Sequence, residues 1–184
     1  IKGTKDTLIW KYIQPNDGNV NDASVMLVNL SKPIKAGETK ELEMDFIAKL
    51  PKFMVRAGYS RDDFYSFLHW FPQLGVYEQN EKGVWYWNCH QFFQQSECYA
   101  DFSDFRVELD IPEHLVIGHS GCLISEKKNT DKKRKTLVID ARDVIEFAWI
   151  VYPYFEEHKS NWKGVEIKML IPQEHCAMAP RYEQ

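Results

Sequence analysis

The stretch WFPQLGVYEQNEKGVWYWNCHQFFQQSECYADFSDFRVELDIPEHLVIGHSG, residues 70–121, decides the fold class of this chain. Its clearest element is FRVELDI (105–111), in which apolar and charged side chains alternate before a proline. Such a period of two is typical of a β-strand with one buried face. The stretch also concentrates Trp, His and two of the four cysteines, as a reactive centre would. The alternation instead predicts that it is the structural middle of an all-β domain.

Working outward, similar short segments recur between turn signals, and no convincing helix precedes residue 173. This spacing predicts a saddle-like or sandwich β domain of mostly antiparallel strands. The segment ELEMDFIAKL (41–50) alternates most clearly and predicts a long strand, whereas RAGYSRDDFYSF (56–67) predicts a long loop. The other predicted strands are 5–13, 24–30, 74–78, 84–88, 115–118, 121–125, 135–140, 146–151 and 165–171.

The final segment, QEHCAMAPRYEQ (173–184), changes character to Ala, Met, Glu and Gln, with a proline able to occupy a first helical turn. It predicts the truncated start of a helix. The predicted organisation is therefore an N-terminal β domain over 1–172, followed by a linker and the beginning of a missing domain over 173–184. The basic run EKKNTDKKRK (126–135) predicts a solvated hairpin tip.

Composition excludes several classes of partner. A net charge of −4 gives no electrostatic case for nucleic acid. No apolar run approaches the ~20 residues that span a bilayer. The chain opens on IKGTKD without an initiator Met or a signal peptide, which indicates a segment of a longer protein. The compartment is left open, an exported or periplasmic parent being the favoured interpretation.

The cysteines and histidines predict no metal site and no nucleophile. The four cysteines form no Cys-x-x-Cys pair, so free buried thiols are expected, with a Cys89–Cys98 disulfide as the alternative in an exported parent. His114 and His119 lack a ligand spacing, and surface or hydrogen-bonded histidines are expected. Cys89 and His90 are adjacent, so on a strand their side chains point to opposite faces and cannot act as a pair.

The aromatic residues allow two interpretations. Aromatic side chains make up 14% of the chain. Core packing is expected for most of them, whereas an exposed subset would form a stacking platform for sugars or peptides. The residues considered for such a platform are Tyr59, Phe64, Tyr65, Phe67, Trp70, Trp85 and Trp87.

Four segments in register carry a resemblance to a known family. They are WFPQLGVYE, then WNCHQFFQQSECYADFSDFRVELDIPEHLVIGHSG, then ARDVIEFAWIVYPYF, and last VEIKMLIPQEH, and the resemblance as a whole covers about residues 40–175. In order and spacing they resemble the N-terminal domain of the zinc aminopeptidases of the aminopeptidase N and leukotriene hydrolase type, in the bacterial branch of these gluzincin enzymes.

The resemblance implies a saddle-shaped β domain that precedes a thermolysin-like catalytic domain. The partner would be that catalytic domain of the same polypeptide, with the N-terminus of a peptide substrate as a further contact. The family's zinc ligands, His-Glu-x-x-His plus a distant Glu, and its Gly-x-Met-Glu-Asn motif belong to the catalytic domain. Neither motif occurs in this chain. The resemblance therefore implies no catalytic residue, no metal ligand and no cofactor here, zinc being expected in the missing domain.

One family role could fall on this chain. In the family, a loop ahead of the Phe-Pro pair presents a Gln or Glu to the substrate's N-terminal residue. By position that loop is SRDDFYSFLH (60–69), which departs from the family's Thr-Gln-Phe-Glu pattern. A second departure lies in DVIEFAW (143–149), where relatives often carry His-Asp before Phe-Ala-Trp. The candidate substrate-cleft residues are Asp62, Asp63, Phe64 and Tyr65.

The leading hypothesis is a non-catalytic domain that packs on a catalytic domain and walls its substrate cleft. Two rival hypotheses remain. The first is a free-standing β-sandwich that binds carbohydrate or peptide through exposed aromatic side chains. The second is a degenerate family member that has lost its zinc motif and acts as a scaffold. The parent reading frame distinguishes among the three.

Overall fold

The computed structural model describes residues 2–3, 7–52, 56–60, 63–93, 95 and 99–182. The protein is mostly β, with 48% of residues in strands and 7% in helical turns, which confirms the predicted all-β class. Among the described residues, the strand pairs are antiparallel, and an isolated parallel bridge joins Lys52 to Tyr59. The chain divides into two compact units, one made of residues 1–48 and 71–101 and the other of 49–70 and 102–184.

Unit 1 contains only two-stranded sheets among its described residues. Strand β1 (Lys2–Gly3) pairs with β4 (Leu42–Glu43). The other two pairs are the hairpins β2 (Ile9–Ile13) with β3 (Val25–Asn29), and β7 (Val76–Gln79) with β8 (Trp85–Asn88). The second hairpin turns at Glu81–Gly83, as the sequence predicts.

Unit 2 contains the larger sheets. A four-stranded sheet has the order β10 (Val116–His119), β13 (Trp149–Tyr152), β6 (Tyr65–Phe67), β5 (Gly58–Tyr59). A three-stranded sheet has the order β11 (Cys122–Asn129), β12 (Arg134–Val144), β9 (Ser103–Pro112). Strands β14 (Phe155–Trp162) and β15 (Val165–Pro172) form a hairpin, followed by a 3-10 helix (Gln173–Met178) and a short helix α1 (Ala179–Tyr182).

The hydrophobic core lies in unit 2. Leu137 and Ile139 of β12 are almost completely buried, and so are Phe147 and Val151. Strand β9 shows the predicted alternation, with Leu109 and Ile111 buried and the intervening charged residues exposed. In unit 1, by contrast, Leu8 and Val76 are the buried hydrophobic residues among those described. Hydrophobic burial therefore stabilises unit 2 more than it stabilises the described part of unit 1.

The predicted long strand over residues 41–50 is wrong. Only Leu42–Glu43 pairs with a neighbour, and Ile47 is 89% exposed. Alternation marks side chains that could share a face, but a strand also needs a partner for its backbone N–H and C=O groups. Residues 44–50 have no such ladder.

Two further predictions need correction. The segment predicted as a loop over 56–67 contains β5 and β6, which pair with each other, while β6 also pairs with β13. Strand β14, with the polar sequence FEEHKSNW, was not expected to be a strand at all. It forms because the two-residue turn at Lys163–Gly164, with φ of 49° and 85°, folds it back onto β15. Positive φ at both turn residues is the hairpin geometry that matches strand twist.

Other local predictions are confirmed. The basic run forms the tip of the β11–β12 hairpin, with a 3-10 turn at Thr130–Lys132. The segment from Gln173 becomes helical, with Pro180 in the first turn of α1. No helix among the described residues has the length and apolar character needed to cross a bilayer. Cys89, Cys122 and Cys176 are free as predicted, but none is fully buried, since Cys89 and Cys176 are half-buried and Cys122 is exposed. Cys98 lies outside the described residues.

Candidate functional site

The residues predicted to line a substrate cleft lie at the β5–β6 hairpin. Asp62 is outside the described residues. Asp63 occupies the turn with a φ of 62°, and the Ser60 N–H donates to the Phe64 carbonyl at 3.0 Å. A short side chain that can bond locally tolerates this left-handed conformation. The turn thus places Asp63 and Tyr65 on the surface of unit 2.

Asp63 gathers two polar neighbours. The Tyr65 hydroxyl donates to its carboxylate at 3.3 Å, and His114 Nε2 lies 3.9 Å from the other oxygen. Burial and the neighbouring Asp63 charge raise the pKa of the Tyr65 phenol, which therefore stays protonated at neutral pH. The Asp63 and His114 side chains are both largely exposed, so the ion pair contributes little to stability. Chemically, this arrangement offers a carboxylate that could meet a cation, but no activated nucleophile.

Phe64 does not join them. Its ring packs edge-on against Tyr152 at 5.9 Å and Phe155 at 6.2 Å. Edge-to-face packing at these separations is favourable aromatic core geometry. Phe64 therefore anchors the hairpin, and the described members of the predicted site do not converge on one point.

The segment DVIEFAW (143–149), which departs from the family pattern, contacts the residues that follow β6. The Glu146 carboxylate accepts the backbone N–H of His69 and lies 3.2 Å from His69 Nδ1. His69 has a φ of 49°, which a non-glycine residue adopts at some energetic cost. The contact with Glu146 offsets that cost. Trp70, the next residue, donates its indole N–H to the Phe147 carbonyl at 3.0 Å. This bond also holds the residues after β6 against the segment 143–149.

An aromatic cluster that we call the aromatic ladder lies on the β7–β8 hairpin of unit 1. It consists of Tyr77, Trp85 and Trp87, each more than half exposed. The Tyr77 ring lies 5.2 Å from Trp85 with an interplanar angle of 21°, and 5.0 Å from Trp87 at 45°. Tyr77 faces Trp87 directly across the strands, and Trp85 is two residues away on the same face. The three rings therefore form one continuous, accessible apolar surface.

The opposite face of this hairpin holds the ladder in place. The Glu78 carboxylate accepts hydrogen bonds from Asn88 Nδ2 at 2.6 Å, from Tyr99 at 2.8 Å and from Tyr86 at 3.3 Å. These bonds, with that from Asn88 the largest, hold the pKa of Glu78 below its usual value. Burial and then the Glu78 charge raise the pKa of Tyr86, whereas the hydrogen bond to Glu78 and then its charge raise the pKa of Tyr99. Because successive side chains on a strand point to opposite faces, Tyr77 lies on the face opposite to Glu78 and points outward.

Trp85 and Trp87 were among the aromatic residues considered from sequence, and the structure exposes them. Tyr59 is also exposed, whereas the others are at least partly buried. Phe67, for example, stacks on Trp149 with ring centres 3.7 Å apart. Tyr77 was missed, because a single tyrosine in VYEQ carries no signal until the pairing across the hairpin is known.

Gln91 is a second residue that sequence reasoning missed. It is 1% exposed and lies in unit 1, between the hairpin and the turn Pro15–Asp22. Its Oε1 accepts the N–H groups of Asn16 and Asp17, its Nε2 donates to Asp17 at 2.9 Å and Asp22 at 3.2 Å, and its own N–H donates to Asn16. Gln91 therefore clamps this polar turn through hydrogen bonds.

Among the described residues of unit 1, Cys89 and His90 do not form a catalytic pair. Burial raises the pKa of the Cys89 thiol, which keeps it protonated and a poor nucleophile. The ring of the neighbouring His90 has Nδ1 2.8 Å from the Gln91 carbonyl and stacks on Phe93. In the described part of unit 1, the aromatic ladder is therefore an accessible feature with binding character, whereas Cys89 and His90 offer no activated nucleophile.

Comparisons with protein-family models, with curated proteins and with solved structures find no match to this chain. The family resemblance therefore rests on the four sequence segments alone. Fold class follows from the structure, and function is a matter for proposal.

Proposed function

We propose that this chain is a non-catalytic N-terminal β domain of a zinc aminopeptidase-like protein, which packs on the catalytic domain and walls one side of its substrate cleft. Zinc and the peptide-cleaving residues would belong to that other domain. The observation that carries the proposal is the β2–β3 hairpin, which leaves apolar side chains exposed on both of its faces.

On one face of β2, Trp10 and Tyr12 contact each other edge-on at 5.5 Å and are 45% and 50% exposed. On the other face, Ile9 is 76% exposed and Leu27, opposite Lys11 in β3, is also exposed. A two-stranded hairpin is marginally stable in water unless something packs against it. A partner surface that covers these side chains would stabilise the hairpin at about 25 cal/mol per Å² of apolar area removed from water.

The Asp63–Tyr65 corner of unit 2 supports the second half of the proposal. It presents a carboxylate with accessible oxygens, the chemistry that would meet the ammonium group of a peptide N-terminus. Asp63 thereby takes the place of the Gln or Glu that the family resemblance leads one to expect in this loop.

Replacing both Trp10 and Tyr12 with Ala is expected to weaken docking on the catalytic domain at least tenfold, because aromatic anchors dominate interface energies. The test first reads the gene beyond Gln184, expects a segment bearing His-Glu-x-x-His, and expresses that segment separately. Its affinity for the chain and for the double variant is then measured by calorimetry. Tyr154→Ala, an exposed aromatic of unit 2, is the matched control and should bind as the wild type does.

Three results would contradict the proposal. The reading frame could end without a zinc motif, or the double variant could bind with unchanged affinity. The purified 184-residue chain could itself hydrolyse aminoacyl substrates and lose that turnover on chelation.

The aromatic ladder favours a second candidate function, binding of carbohydrate or extended peptide by stacking. Tyr77, Trp85 and Trp87 present their rings to solvent on one face of the β7–β8 hairpin. On the reverse face, the hydrogen bond from Asn88 to Glu78 holds the two strands in place. Rigid aromatic side chains lose little conformational entropy on binding, which makes them effective contact surfaces.

If this second function is correct, Trp85→Ala and Trp87→Ala should each weaken binding of a soluble oligosaccharide or peptide by tenfold or more. The measurement is intrinsic tryptophan fluorescence and calorimetry across a panel of such ligands. Trp10→Ala, in the other hairpin of unit 1, should leave that affinity unchanged. Equal affinity for wild type and both ladder variants would exclude the ladder as the binding surface.

A further inference from the structure

Three potential metal ligands meet at the C-terminal end of unit 2. Glu156 and His158 are two residues apart on β14, so their side chains project from the same face of the hairpin. Cys176 approaches that face from the 3-10 helix Gln173–Met178. A carboxylate oxygen, a ring nitrogen and the thiol sulfur of these residues all lie within 4.8 Å of one another.

The contacts within this group are incomplete. The Cys176 thiol donates to Glu156 Oε2 at 3.2 Å. His158 Nε2 is buried and has no hydrogen-bond partner among the described residues. A buried polar atom without a partner costs roughly 1–3 kcal/mol, so each such atom in a native structure calls for an explanation, and a bound ion is one of them. Here the atom belongs to the ring of a residue type that commonly binds metals, and one nitrogen of that ring lies within 4.8 Å of the other two ligand atoms.

We infer that Glu156, His158 and Cys176 bind one divalent cation of the zinc type. Thiolate, imidazole and carboxylate together are a donor set that zinc accepts, and they exclude magnesium and calcium, which require oxygen donors. Ligand atoms around a tetrahedral zinc lie about 3.3–3.8 Å apart, given bonds of about 2.0–2.3 Å. Cys176 Sγ and Glu156 Oε2, 3.2 Å apart, are already close to that spacing, and a ring nitrogen of His158 lies within 4.8 Å of both ligand atoms.

The site would join the 3-10 helix to β14, since two ligands come from the strand and one from the helix. Glu156 is exposed, which leaves room for water as a fourth ligand. The resemblance to zinc aminopeptidases assigns zinc to another domain, so this inference concerns a different ion and stands independently of the proposed function.

Metal binding at this site should release a proton. A free cysteine thiol has a pKa of about 8.5 and is mostly protonated at neutral pH. A zinc-bound cysteine is a thiolate, so binding expels that proton into the buffer. The apparent affinity should therefore fall as the pH is lowered.

The experiment uses the full 184-residue chain, stripped of metal and titrated with Zn²⁺ and separately with Co²⁺. We expect about one ion per chain, release of about one proton per Zn²⁺ in buffers of different ionisation enthalpy, and a sulfur-to-cobalt charge-transfer band. Cys176→Ser should abolish the charge-transfer band and weaken binding at least tenfold, and Glu156→Gln should weaken it while leaving the band in place. Cys122→Ser, at an exposed free cysteine on β11, is the matched control and should change nothing.

Circular dichroism and thermal unfolding of each metal-free variant show whether it still folds. Glu156→Gln alters an exposed side chain and keeps its shape, so its effect remains interpretable even if a Cys176 variant unfolds. The inference is overturned if the folded wild-type chain binds neither ion, or if it binds with an unchanged band and affinity in Cys176→Ser. Loss of the band in Cys122→Ser instead would place any metal at a different cysteine and would also overturn it.

Discussion

Gly121→Ala is expected to destabilise unit 2 by about 3 kcal/mol or more. Gly121 connects β10 to β11 with a φ of +78°, a left-handed conformation that costs Ala about 1–2 kcal/mol. A Cβ atom there would also lie 2.6 Å from Ala141 Cβ and 2.8 Å from its Cα, and would collide with the Asp140 carbonyl oxygen. These atoms belong to the main chain of β12 or are fixed directly to it, so they cannot rotate away.

The matched control is Gly164→Ala in the β14–β15 turn. Gly164 has a similar φ of +85°, but a Cβ there meets nothing within 4 Å. It should therefore show only the conformational cost of roughly 1 kcal/mol. The difference between the two variants isolates the steric collision from the left-handed backbone.

Chemical denaturation and thermal unfolding of both variants provide the measurement. For a chain of this size, a loss of 3 kcal/mol lowers Tm by roughly 6–12 °C, and the control should lose about a third of that. Equal losses in the two variants would show that β12 does not approach Gly121 as closely as the structure indicates.

Gln91→Glu is expected to cost unit 1 about 3–5 kcal/mol at neutral pH, because it places a buried carboxylate opposite two others. The substitution preserves shape but replaces the Nε2 donor, which bonds Asp17 Oδ1 and Asp22 Oδ2, with an acceptor. Unit 1 has few buried hydrophobic residues to offset the loss. We expect the turn Pro15–Asp22 to detach.

The pH dependence of the variant has a defined sign. The folded state favours the neutral form of the introduced carboxyl, so its pKa there rises above the unfolded value of about 4.3. The variant should therefore regain stability as the pH falls from 7 to about 5.

Wild-type Asp22 acts in the opposite direction. Hydrogen bonds from Ser24, and then Gln91, lower the pKa of Asp22, so its contribution is lost only on acidification below about pH 4.

Hydrogen exchange of the amides of Asn16 and Asp17 reports on the clamp directly, since both donate to Gln91 Oε1. Their protection should fall in Gln91→Glu at pH 7 and partly recover at pH 5. Gln79→Glu, at an exposed glutamine of the same unit, should leave the protection unchanged. Unaltered protection in Gln91→Glu at pH 7 would show that the clamp does not hold this turn.

Sequence reasoning succeeded where one chemical constraint acts along a short segment. Strand β9 was predicted from the alternation of FRVELDI, because burial of one face enforces period two. It failed in the segment 41–50, whose alternation is as clear but which has no strand beside residues 44–50. Conversely, β14 has almost no apolar pattern, and its strand character comes from the ladder of backbone hydrogen bonds with β15.

The candidate binding surfaces likewise combine residues that the sequence suggests with contacts that only the fold creates. Trp85 and Trp87 could be proposed from composition, but their exposure depends on which face of the hairpin Glu78 and its partners occupy. Gln91 carries no sequence signal, because its five hydrogen bonds reach residues about 70 positions away. The same holds for the meeting of Cys176 with Glu156 and His158, which requires both the β14–β15 turn and the helical segment after it.

By itself the sequence determined the all-β class, the strong central strand, the exposed basic hairpin tip and the helical character of the C-terminal segment. These follow from local periodicity and turn chemistry, which act over a few residues. The tertiary structure alone decided which alternating segments found strand partners, which aromatic residues stayed in solvent and which polar side chains came together. Those outcomes depend on pairing and burial between distant segments, and no local pattern encodes them.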